Sequence, residues 1–305
     1  MFEIEDERVI KFSELSMRKD VNFKLVLAKN DKLNHDTLRN LLTAFLKRKI
    51  YNLQVLSEEL KLNSNYDKQQ VFDILVGFNE GNKVDVEMQV IDNENDIGKR
   101  MAYYLSNIGA SQLKRGDTYK DMKEVYILLF LDYIRYEDDD IVHEFGMLTR
   151  KGIPFDPHCD YLNIITVEIP KAKYKEQMKD AEIWAYMLQC SGRRNKEYME
   201  HVKFFVDSRE EISMLVECVN QISRDEKEWL EQFNQIRLEI EEASRKQRID
   251  DGLLEQGRQE GIVVGRQEGK KELILMMANN ATCEEISKIT GLDIKYVQSV
   301  VQSNK

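Results

Sequence analysis

Two neighbouring runs alternate between apolar and other residues, and a turn-rich connector separates them. In residues 71–78 the apolar set is Phe72, Ile74, Val76 and Phe78, with Asp73 on the opposite side. In residues 83–91 the set is Val84, Val86, Met88 and Val90, with Lys83, Asp85, Glu87 and Gln89 opposite. A period of two belongs to strands, not helices. The connector Asn79-Glu80-Gly81-Asn82 turns the pair into a predicted hairpin. One face must be buried; the other collects carboxylates.

In an antiparallel pair, opposed residues share a face. Asp73 therefore meets Glu87 or Gln89 only if paired residue numbers sum to an even value. That requires an odd number of connecting residues or a bulge, and Gly81 suits the left-handed position of such a turn.

The flanking sequence supplies what the hairpin packs against. Residues 36–49 are helical in pattern, with Leu38, Leu41, Leu42, Phe45 and Leu46 on one stripe. Residues 50–56 suggest a first strand and 63–70 a polar loop. A helix rich in Tyr and Met is expected over 96–113, stopped by Gly116. Glu124 to Tyr133 contains the apolar run Val125–Leu131, which suits a buried strand. Tyr161 to Ile169 is another strand candidate ended by Pro170. Residues 1–20 show no strong pattern, and the acidic run 137–140 reads as a solvated loop or helix start.

Beyond Lys171 the pattern is helical throughout. Trp229, Phe233, Ile236, Ile240 and Ala243 form a seam about two heptads long, compatible with a coiled coil or with packing inside one chain. Gly257-Arg258-Gln259-Glu260-Gly261 recurs at 265–269, as a close-approach helix face or a linker. Thr282 and Glu285 make a capping-box pattern, and two short helical patterns around Gly291 suggest a helix-turn-helix-like unit. The expected organisation is a core over 1–170, a helical extension over 171–250 and a tail over 251–305.

Composition excludes several classes. No run in the 305 residues approaches the roughly 20 apolar residues of a membrane span. The acidic start is unlike a signal peptide, so a cytoplasmic protein without a membrane partner is expected. Cys159, Cys190, Cys218 and Cys283 are scattered without a Cys-x-x-Cys pair, which argues against a disulfide frame or a structural zinc site. The histidines at 35, 143, 158 and 201 share no ligand spacing. With a net charge of −10, nucleic-acid binding needs a local basic face or a metal ion to offset carboxylates.

Two carboxylates converging on one sheet face repel, and each disfavours ionisation of the other. A divalent cation with hard oxygen ligands removes the conflict, and Mg²⁺ is suited to one or two carboxylates plus phosphate oxygens. An acidic strand face can equally be merely solvated.

The order of these residues resembles the PD-(D/E)XK nucleases, and more closely the recombination-promoting nuclease (Rpn) and transposase family of bacteria. The features that carry the resemblance are Asp20-Val21-Asn22-Phe23-Lys24, Phe72-Asp73-Ile74, Val86-Glu87-Met88-Gln89, Arg100 to Tyr104, Gln112-Leu113 with Gly116 and Tyr119, Val167-Glu168-Ile169-Pro170-Lys171, and the glycine-repeat tail. The resemblance implies an α/β fold with a restriction-endonuclease-like mixed sheet flanked by helices in the order α-β-β-β-α-β, and a helical C-terminal extension. It implies a Mg²⁺-dependent DNA endonuclease (Mn²⁺ as a substitute) tied to recombination or a mobile element.

Carried over, Asp73, Glu87 and the backbone carbonyl of Met88 would ligate the metal. Gln89 would occupy the superfamily's Lys position, and Arg100 and Tyr104, four apart on one helix, would orient the phosphate. A neutral Gln offers hydrogen bonds but no charge. The residue before Asp73 is Phe72, not the superfamily's Pro. Paired nicks in two strands would favour a homo-oligomer. The alternative is a catalytically degenerate nuclease fold acting as a DNA-binding or oligomeric interaction protein. A phosphodiesterase for small nucleotides ranks last, because no glycine cradle for a nucleotide is present.

Overall fold

The computed structural model describes residues 6–56, 73–90, 97–149, 151–156, 161–222, 268–278 and 281–303. The heptad-like seam and the glycine repeat up to Gln267 lie outside these residues, as do the loop over 63–70 and Cys159. The chain divides into two units, residues 1–235 and 236–305.

In the first unit, the strands are β1 (Leu53–Val55), β2 (Ile74–Phe78), β3 (Asn82–Gln89), β4 (Val125–Leu131), β5 (Val142–Phe145) and β6 (Leu162–Glu168). They form one sheet in the order β1-β2-β3-β4-β6-β5. The β3-β4-β6 centre is parallel, and the outer pairings are antiparallel. The helices are α1 (Glu7–Phe12), α2 (Asp20–Ala28), α3 (Lys32–Leu46), α4 (Ile97–Ala110), α5 (Asp180–Cys190), α6 (Lys196–Ser208) and α7 (Glu210–Asn220). Up to β4 the order helix, three strands, helix, strand is the expected one. Helices α1 and α2 and the short edge strand β5 are additions from the structure.

All seven residues of β4 are buried. A central strand covered by helices on both faces has no solvated side, which is why Val125–Leu131 reads as a continuous apolar run. On one face Val84, Val86, Met88, Tyr126, Leu128 and Phe130 join the main core with Phe23, Leu38, Leu41, Leu42, Phe45 and Leu46. Phe130 packs its ring against Phe23 and Phe45, at centroid distances of 5.3 and 5.2 Å. Helix α3 is started by Asp31, whose side chain accepts the Asn34 N–H at 3.0 Å. Trp184 of α5 and Leu215 of α7 belong to the same core.

On the other face α4 is the one helix among the described residues. Ile97 and Met101 pack on Ile127, Leu129 and Leu131, and Ile108 packs on Leu75 and Val125. The 3.6-residue period of α4 leaves Arg100 and Tyr104 on a shared side one turn apart.

The β2–β3 hairpin turns through Asn79, Glu80 and Gly81. Ile74 pairs with Val86 and Phe78 with Asn82, so paired numbers sum to 160. The connector is odd, as the geometric argument requires, and Gly81 takes the left-handed conformation at φ +98°.

The second unit contains a helical stretch over 268–278 followed by α8 (Cys283–Thr290) and α9 (Ile294–Gln302). Thr282 and Glu285 form the capping box, and Gly291 ends α8 at φ +68°. Ile274, Ile286, Val297 and Val300 make its small core.

Candidate active site

Register places Asp73, the residue just before β2, opposite Glu87. The backbone ladder reaches Ile74–Val86, and the two acidic side chains continue it. The Met88 N–H donates to Asp73 Oδ2 at 3.0 Å, and the Asp73 N–H donates to Glu87 Oε1 at 3.3 Å. Each carboxylate is thereby oriented by the other strand's backbone. Met88 contributes its backbone here while its side chain sits in the opposite core.

Arg100 reaches down from α4 onto the same group. Its Nη2 donates to Gln89 Oε1 at 2.5 Å and lies 3.8 Å from Glu87 Oε2. The guanidinium carbon is 6.0 Å from the centre of the Tyr104 ring. The six residues singled out from the sequence, Asp73, Glu87, Met88, Gln89, Arg100 and Tyr104, thus stand together between the β2–β3 hairpin and α4. The far side of Gln89 is anchored as well. Its carbonyl accepts the Asp132 N–H at 3.0 Å, and the Asp132 carboxylate pairs with Arg18 Nη1 at 3.1 Å.

The electrostatics are those of a crowded, covered acid group. Burial, and then the Asp73 charge, raise Glu87 from its ordinary 4.5 to about 8, with Arg100 opposing. Tyr104 is pushed up to about 12 by burial and by Glu87. One further carboxylate belongs here that sequence reasoning put on this face without singling it out. Asp85, two residues before Glu87, is completely buried; no N–H or hydroxyl group donates to either oxygen, and its carboxyl meets that of Glu87. Burial, then Glu87 and Asp73, raise its pKa well above the usual range. The signal available was the alternation itself, which gave Asp85 and Glu87 one face but not the depth to which α4 covers it.

A second acidic group lies at the far end of the sheet. Ligand atoms of Asp138, Asp140 and His143 come within 4.8 Å of one another. Thus the 137–140 run is not merely solvated, and His143 does share a cluster with acids. Asp138 Oδ2 meets His143 Nε2 at 2.9 Å, and Lys171 Nζ lies 3.2 Å from Asp138 Oδ1. The His143 contact, chiefly, holds Asp138 down at about 2. Buried Glu168 pairs with Lys171 Nζ at 2.7 Å and accepts the N–H groups of Arg135 and Tyr136. The Glu168–Lys171 motif therefore ties the β4–β5 connection to the end of β6, and the Lys171 ammonium lies against two of these acids, Glu168 and Asp138.

The hairpin site is different. Among the described residues Arg100 is the cation beside Glu87, and buried Asp85 receives no N–H or hydroxyl donor, so the hard-oxygen donor set fits a divalent cation. The family model for PD-(D/E)XK nuclease family transposases matches residues 17–249. The chain belongs to this family. No curated protein and no solved structure matches it significantly. Membership assigns the family a nuclease- and transposase-associated function, and PD-(D/E)XK nucleases are typically dependent on divalent metal. The matched span includes every residue of the hairpin site. Among the described residues, no helix is long and apolar enough to cross a membrane.

Proposed function

We propose that this family member is a divalent-metal-dependent DNA endonuclease whose centre is the β2–β3 hairpin beneath α4. The observation that carries the proposal is the Asp73–Glu87 pair, held face to face by the Met88 and Asp73 N–H groups. Asp73 and Glu87 would hold Mg²⁺ or Mn²⁺, with the Met88 carbonyl as the third protein ligand. When bound, such an ion activates water and stabilises charge developing on the phosphate.

The remaining residues supply orientation. Arg100 and Tyr104 stand one turn apart on α4, where a guanidinium and a phenol can grip phosphate oxygens. Gln89 brings no charge to the superfamily's Lys position, but it accepts a hydrogen bond from Arg100. A permanent cation is thereby returned to that position from the neighbouring helix. It cannot act as a base, because a guanidinium keeps its proton. The proposed work of Arg100 is therefore to bind phosphate and to balance Glu87.

A supercoiled-plasmid nicking assay with Mg²⁺, Mn²⁺ or EDTA tests this reading. Wild type nicks with metal and stops with EDTA, whereas Asp73→Ala and Glu87→Ala fall to background with unchanged far-UV circular dichroism. Full nicking by either purified variant contradicts the assignment. No nicking by wild type, together with no metal binding, favours the interaction-protein alternative.

A further inference from the structure

Asp85 is used by none of the steps above, yet it is the most deeply buried acid on the α4 face. Its relative exposure is 0%, compared with 5% for Glu87. In the sheet it sits between Leu75 of β2 and Ile127 of β4, both apolar and buried. No N–H or hydroxyl group donates to either of its oxygens, its carboxyl meets another acid, Glu87, and among the described residues it makes no ion pair. Taking a carboxylate out of water without compensation costs several kcal/mol. A fold that keeps one there must neutralise it with a proton or with a cation.

Among the described residues, the neighbouring cations are otherwise engaged. Arg100 donates to Gln89 and approaches Glu87. Lys83, the next residue on this face, points its ammonium toward Ser111 Oγ at 3.5 Å. Among the described residues, Asp85 and Glu87 thus have the Arg100 guanidinium as their nearby cation, with Asp73 adding a third carboxylate. An ion held by Asp73 and Glu87 alone leaves Asp85 uncompensated beside it.

We propose that Asp85 is a third carboxylate of the divalent-cation site, approaching the ion from beneath Glu87 on the same strand face. The inference rests on the metal-dependent reading of Asp73 and Glu87. The ligand atoms of the three acids are not all within 4.8 Å of one another, as those of Asp138, Asp140 and His143 are, so binding draws the carboxylates together by side-chain rotation. Strand geometry permits this, since residues two apart on one strand project to the same side.

The test is Mn²⁺ binding, followed by electron paramagnetic resonance of the free ion, with full-length wild type, Asp85→Asn, Asp85→Leu and Asp73→Ala. Asn preserves shape and removes the charge; Leu matches the apolar neighbours, so at least one variant should fold as wild type by circular dichroism. The expected result is Mn²⁺ affinity weakened at least about tenfold in the folded Asp85 variants, with binding lost in Asp73→Ala. Wild-type affinity in Asp85→Asn or Asp85→Leu, with loss in Asp73→Ala, overturns the role of Asp85 and leaves the two-carboxylate site standing. No Mn²⁺ binding by wild type removes both.

Discussion

On one face of β3, Val84, Val86 and Met88 disappear into a continuous apolar core with α2 and α3. On the other, Asp85, Glu87 and Gln89 are also buried, beneath helix α4, which brings Arg100 and Tyr104 with it. The two faces are separated by one step of the same backbone. The first is stabilised by burial and tight packing. The second keeps like charges together in a poorly solvated space, a destabilising arrangement unless a counter-charge is bound. Burial of comparable depth thus serves stability on one side and ligand chemistry on the other, and substitutions should separate the two.

The largest effect on folding is expected from the apolar face. Phe130→Ala removes the ring wedged between Phe23 and Phe45 and should cost about 3–5 kcal/mol in denaturant unfolding. Metal affinity per folded molecule should stay near wild type. A cost below about 1 kcal/mol would show that this face is not the main source of stability.

Arg100→Ala should do the reverse. Loss of a charged hydrogen bond worth about 1.5–3 kcal/mol corresponds to roughly a ten- to hundredfold fall in nicking rate, with little change in melting temperature because Arg100 is over a third exposed. Arg100→Lys should recover only part of the rate, since an ammonium lacks the planar fork. Full activity in Arg100→Ala would remove this residue from the site.

Much of this contrast is legible in the sequence, for particular reasons. Alternation assigns each residue of β3 to a face, and counting lets Asp73 meet either Glu87 or Gln89 through an odd connector or a bulge; the register of the hairpin selects Glu87. The depth of Asp85 did not follow, because polar residues on a strand face look the same whether solvent or a helix lies above them. Edge strand β5 escaped notice because its four residues, Val142–Phe145, carry no alternating apolar set. The engagement of Asp138 escaped as well, since Lys171 reaches it only once β6 and its 3-10 turn bring distant segments together.

The smallest expected effect is a pH dependence peculiar to the acidic face. Glu87 holds its proton to about pH 8 in the metal-free protein, against an ordinary value of 4.5. Between those limits the native state binds more protons than the unfolded chain, so metal-free stability falls as pH rises across that window. Thermal melts in EDTA should show a melting temperature that declines from pH 5 to pH 8. Glu87→Gln should reduce that slope, and the same slope in the variant would place its origin elsewhere.

The most direct test of the central claim is a crystal structure of the full chain with Mn²⁺, read from its anomalous signal. The account predicts a peak between the carboxylates of Asp73 and Glu87, with metal–oxygen distances of roughly 2.0–2.3 Å. A peak at Asp138, Asp140 and His143 instead, or none at the hairpin with Mn²⁺ in excess, would contradict it.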